Sequence, residues 1–149
     1  MPTLRNPRSK RKVKRTKSQR WQVDPIKRRL VEDHAQALLE RRFRRKGWKV
    51  ADTRRGNPFD AKATKGKKIR YLEAKGTERD GASILVTPRE VRYARAHLGK
   101  CVIGIVSGIR FQSDGTLDPS SGTLATHDWD PDDGVLKPAG YTWAPPRRA

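Results

Sequence analysis

The stretch Ile69-Arg70-Tyr71-Leu72-Glu73-Ala74-Lys75-Gly76 decides how this chain is read. Its branched, aromatic and aliphatic residues predict a strand over Ile69 to Lys75. Side chains on a strand leave by alternate faces, so Glu73 and Lys75 share one face and Leu72 and Ala74 the other. A carboxylate and an amine thus stand together on a strand expected at the centre of a sheet. Burying such groups costs several kcal/mol unless they are paired or bind an ion, so the pair demands a reason. A second acid, Asp60, stands upstream in Asn57-Pro58-Phe59-Asp60.

Working outward, Ile26 to Lys46 predicts a long amphipathic helix. Leu30, Val31, Ala35, Leu38, Leu39 and Phe43 recur at helical spacing, Asp24-Pro25 supplies an N-cap and first turn, and Gly47 ends the run. Trp48 to Asp52 and Phe59 to Ala63 read as strands about the turn Arg54-Arg55-Gly56-Asn57, and Lys65-Gly66-Lys67 as a hairpin turn into the strand that bears Glu73. Ser83 to Val86 reads as a further strand. Thr87-Pro88-Arg89-Glu90 has the form of a capping box opening a helix through about Leu98, and Cys101 to Val106 is a buried strand. The expectation is an α/β fold, a mixed central sheet flanked by helices in the order αβββ(β)αβ.

Charge divides the chain into three. Of 149 residues, 35 are Lys or Arg against 16 Asp or Glu, a formal net charge of +19. Such an excess favours a polyanionic partner, most simply nucleic acid, because each phosphate neutralised releases counterions. Residues 1–25 predict a disordered basic arm. Its Arg5, Arg8, Lys10, Arg11, Lys12, Lys14, Arg15, Lys17 and Arg20 are candidate nucleic-acid contacts, and Ser9 to Arg15 also has the form of a nuclear import signal. Residues 26–112 form the expected core. Residues 113–149, rich in Gly, Pro and Asp, predict loops and short strands laid over it, with Trp129, Tyr141 and Trp143 as anchors.

The single cysteine, Cys101, rules out an internal disulfide and reads as an inert core residue. With no apolar run long enough for a bilayer and no hydrophobic leader, the expectation is a soluble intracellular protein, cytoplasmic or nucleoid-associated, nuclear in a eukaryote, with no membrane partner.

The order of elements, with Asp60 and Glu73-x-Lys75, resembles the PD-(D/E)XK superfamily and its restriction-endonuclease-like fold. More closely, Glu32 and Ala35, Gly47-Trp48-Lys49-Val50, Pro58-Phe59-Asp60, Glu73-Ala74-Lys75-Gly76-Thr77 and Thr87-Pro88-Arg89-Glu90-Val91 are similar to the domain at the C-terminus of NO VEIN-type proteins, over roughly residues 26–112. Ala74 stands where that family usually has a larger aliphatic residue, on the face away from the site.

The resemblance implies a metal-dependent nuclease acting on DNA in preference to RNA. Asp60 and Glu73 would hold Mg²⁺, with Mn²⁺ able to substitute, since these hard cations take oxygen ligands. Lys75 would orient the attacking water and stabilise the transition state, with a pKa that can fall on desolvation. Glu32, at the edge of the apolar stripe, is a candidate fourth catalytic residue. Paired cuts in a duplex would require a homodimer or a partner protein. The competing reading is a non-catalytic nucleic-acid-binding protein that works through its arm. In that case Glu73 and Lys75 are an ordinary salt bridge, Asp60 flanks a turn and Glu32 is a solvated helix residue. Thr87 and Glu90 read as caps, and His34 and His97 as packing or surface residues. The acidic run Asp128 to Asp133 reads as a solvated turn.

Overall fold

The computed structural model describes residues 24–140 and 143–147. The nine basic candidates of the arm, Arg5 to Arg20, lie outside the described residues, as does Tyr141. Pro25 opens the first helix, as the Asp24-Pro25 cap and first turn lead one to expect.

Helix α1 spans Pro25–Arg45, and Asp24 caps it by accepting the Lys27 N–H at 3.0 Å. Strands β1 (Lys49–Asp52), β2 (Ala61–Lys65) and β3 (Lys68–Gly76) follow as an antiparallel meander. Helix α2 (Pro88–Ala96) then carries the chain to β4 (Cys101–Ser107), which runs parallel to β3, and β5 (Thr123–Asp128) pairs antiparallel with β4. The result is an α/β fold with an open five-stranded mixed sheet in the order β1-β2-β3-β4-β5. Among the described residues no helix is long and apolar enough to cross a membrane.

The core lies between α1 and one face of the sheet. Val31, Ala35 and Leu39 pack against Ala61, Ala63, Leu72, Ala74 and Val106. Two glycines permit this close approach. A β-carbon at Gly76 would stand 2.7 Å from Val31 Cγ1 and 2.8 Å from the Val31 carbonyl oxygen, and one at Gly104 would stand 2.7 Å from a Leu39 methyl. Such distances are well inside van der Waals contact, so α1 sits directly on the backbones of β3 and β4.

Four expectations are corrected. Ser83–Val86 forms no strand, because β3 already has β2 on one side and β4 on the other, leaving no free edge beside it. The second strand begins at Ala61 and not at Phe59, whose ring instead packs against Tyr71 at 4.7 Å between centroids. Leu30 is 39% exposed and lies outside the core stripe, whereas Gln36, one turn beyond Glu32, is 3% exposed. Trp143 anchors nothing, being 80% exposed. The C-terminal segment instead attaches through β5, through the Trp129 N–H donating to the Cys101 carbonyl at 2.8 Å, and through His34 Nε2 against the Ser121 carbonyl at 2.8 Å.

A candidate phosphodiester site on the central strand

The face of β3 turned away from α1 carries Glu73 and Lys75, as strand alternation requires. The Asp60 N–H donates to the Leu72 carbonyl at 2.9 Å, which brings Asp60 alongside Glu73. The Ala74 N–H donates to Asp60 Oδ2 at 2.8 Å, so the main chain of β3 fixes that carboxylate. Lys75 Nζ lies 3.2 Å from Glu73 Oε1 and 2.9 Å from Glu90 Oε2.

Glu90 enters from α2 and performs two tasks. It closes the capping box, accepting the Thr87 N–H at 2.9 Å while its own N–H donates to Thr87 Oγ1, and it grips the Lys75 ammonium at 3.0 Å through Oε1. The expectation that Glu90 is a cap is met, and its reach to Lys75 is an addition that the local motif did not show.

Together these groups line a cavity of about 620 Å³, with residues 83–88 as a further wall and Gln36 on its α1 side. The Gln36 amide donates to the Asp60 carbonyl at 3.3 Å. Glu32 lines the same cavity at its mouth, with a side chain 61% exposed and 3.9 Å from Arg28. Three of the four candidates, Asp60, Glu73 and Lys75, are therefore brought together, and Glu32 is kept at the rim.

The electrostatics follow from burial. Glu73 is 6% exposed, and burial, reinforced by the Asp60 carboxylate, pushes its pKa up to about 8 despite Lys75. Asp60 is raised for the same first reason, burial, against the restraining Ala74 N–H and Lys75 charge. For Lys75, burial is the largest influence and pulls its pKa down, but Glu73 and Glu90 together outweigh it and the net shift is upward. The expectation that desolvation could lower this pKa is corrected. Two carboxylates hold Lys75 as an ammonium.

Three carboxyl groups and one ammonium, all largely buried, thus line one cavity. Among the described residues, no three Asp, Glu, His or Cys side chains converge as a complete metal cage. A donor set of two adjacent carboxylates, Asp60 and Glu73, fits Mg²⁺, which keeps several waters and takes only one or two protein carboxylates. A cation there would offset the burial and the mutual repulsion that raise the pKa values of Asp60 and Glu73.

Comparison with known families finds a match over residues 31–116 to the family described as Protein NO VEIN, C-terminal. That range, more than half of the chain, runs from α1 past β4 and includes Asp60, Glu73, Lys75 and Glu90. Neither the curated proteins nor the solved structures return a match.

Proposed function

The chain belongs to the NO VEIN C-terminal family, and from that premise and the buried charge of its central cavity we propose that it is a Mg²⁺-dependent nuclease of PD-(D/E)XK type, acting on DNA in preference to RNA. The observation that carries the reading is the gathering of the Asp60, Glu73 and Glu90 carboxyl groups in one cavity with Lys75, where burial and their mutual repulsion raise the pKa values of Asp60 and Glu73.

Asp60 and Glu73 are the residues that would hold Mg²⁺, with Mn²⁺ as a substitute. When bound, such an ion lowers the pKa of a water and neutralises charge on the scissile phosphate. The protein's own groups do the rest. Asp60 is oriented by the Ala74 N–H, so its carboxylate is placed before any ligand arrives. Lys75, fixed by two carboxylates, supplies a positive charge where the pentavalent phosphorus gathers negative charge, and its N–H groups can orient the water whose oxygen bonds to phosphorus as the ester P–O bond breaks. Burial of Asp60, Glu73 and Lys75 strengthens the interactions among them.

Cleavage of supercoiled plasmid, single-stranded DNA and RNA at low salt with Mg²⁺ or Mn²⁺ tests the proposal, comparing wild type with the Glu73→Ala, Lys75→Ala double variant. Cleavage confined to the wild type and abolished by EDTA supports it. Tight, salt-sensitive binding by both proteins with no cleavage by either would leave a nucleic-acid-binding protein whose acids and lysine are architecture.

A further inference from the structure

Beside the acidic cavity lies a second one of about 670 Å³, between the start of α1 and the turn that follows β1. Arg28 and Arg29 line it from the helix and Arg54 and Arg55 from the turn, and the two cavities adjoin, because Arg28, Glu32 and Arg54 line both. Arg54 is built into place. Its guanidinium donates to Asp33 on α1 and, at 3.1 Å, to Asp52 on β1, while its backbone N–H donates to the other Asp52 oxygen at 3.1 Å. Asp33 and Asp52 are thereby taken up in fixing one arginine, and Glu32 is matched by Arg28 at 3.9 Å. Arg29 and Arg55 are exposed and form no ion pair among the described residues. The cleft therefore offers one rigid guanidinium at its junction with the acidic cavity and two unmatched ones at its outer wall.

We propose that this arginine cleft binds the phosphodiester backbone of a polynucleotide and leads it into the acidic cavity. The inference rests on the reading of that cavity as a phosphodiester site. Guanidinium groups present paired donors that match phosphate oxygens, and Arg54 is pre-organised so that little freedom is lost on contact. A polymer with charges spaced along its backbone suits the arrangement, since one phosphate can meet the arginines while a neighbour meets Lys75. An isolated anion would span only one half of the site.

The experiment is binding of the full chain to labelled single-stranded DNA, duplex DNA and RNA of about 20 nucleotides, in EDTA, across a salt series. The Arg29→Glu, Arg55→Glu variant is compared with Lys67→Glu, Lys68→Glu, which makes the same change of net charge at the β2–β3 turn, at the far end of β2 from the cleft. The arginine variant is expected to bind at least about tenfold more weakly, with a log–log salt slope reduced by about 2, and the lysine variant to stay within about threefold of wild type. A loss on DNA only, on RNA only or on both supports the cleft and names the polymer. Equal losses from both variants, or no loss from either, would overturn it. Because the readout is binding without metal, a protein that cleaves nothing is still tested. Failed cleavage with a functioning cleft rejects the catalytic reading alone.

Discussion

Lys75 Nζ lies 2.9 Å from Glu90, the residue that closes the capping box of α2, so a helix start and a site lysine are held by one carboxylate. The coupling separates under substitution. Glu90→Gln keeps a side chain able to cap, so stability should fall by less than about 1 kcal/mol, whereas Glu90→Ala loses the cap as well and should cost about 1 kcal/mol or more. Both remove a negative charge that raises the Lys75 pKa. In the nuclease reading, the alkaline fall of kcat/KM should therefore move to lower pH in both variants, with kcat down by about tenfold. Denaturant melts and pH–rate profiles measure the two effects separately. An unmoved alkaline limb in Glu90→Gln would mean that Glu90 does not set the charge of Lys75.

Glu73 makes stability depend on pH. In the fold its carboxyl keeps a proton up to about pH 8, whereas its ordinary value is 4.5. Between these values the native state binds a proton that the unfolded chain has released, so stability falls as pH rises through the window and levels off above it. Below the window both states are protonated, and the full benefit is present. Thermal melts in EDTA from about pH 5 to pH 9 should show a declining Tm for wild type and a shallower decline for Glu73→Gln, which never ionises. Equal slopes for the two proteins would contradict the burial argument.

Cys101 sits on β4 opposite Tyr71, 4% exposed, and burial, followed by the charge of Glu73, pushes its thiol up to about 11. Only thiolate reacts readily with alkylating reagents. Iodoacetamide at about pH 8 should leave the native protein unmodified and label it fully in denaturant. Fast labelling of the native chain, read by intact mass, would show that the α2 side of the sheet opens.

Periodicity carried α1, β3 and β4 into view, because each buries a stripe or run of apolar residues. It misjudged Ser83–Val86, whose apolar run has the composition of a strand but no place beside β3, a fact decided by pairing between distant residues. It passed over β5 as a named strand because Thr123–Asp128 is small and polar, as an exposed edge strand can be. Asp60, Glu73 and Lys75 were legible because strand alternation and order along the chain bring them together. Glu90 had a complete local explanation as a cap, which concealed its contact with Lys75. Gln36 and Arg54 carry no spacing signal, and only the packing of α1 on β3 and on the turn after β1 shows what they reach.

Gly76 closes the motif that bears Glu73 and Lys75, and its lack of a side chain lets α1 rest on the end of β3 beside the site. An added β-carbon would meet Val31 Cγ1 at 2.7 Å, the Val31 carbonyl at 2.8 Å and Ala35 Cβ at 3.1 Å. The Val31 methyl could turn away, but the carbonyl belongs to the helix backbone and cannot yield alone. Gly76→Ala must therefore lift the first half of α1, and overpacking of this kind costs about 1–3 kcal/mol. The same displacement would carry Arg28, Glu32 and Gln36 away from the cavity they line. The expected outcome is a lower melting temperature together with weakened nucleic-acid binding. Val31→Ala in the Gly76→Ala background removes one of the two closest contacts and should recover part of each loss, although truncating a core valine is destabilising by itself. Urea melts and anisotropy titrations on the single and double variants measure the coupling. Strictly additive losses would show that α1 does not rest on Gly76.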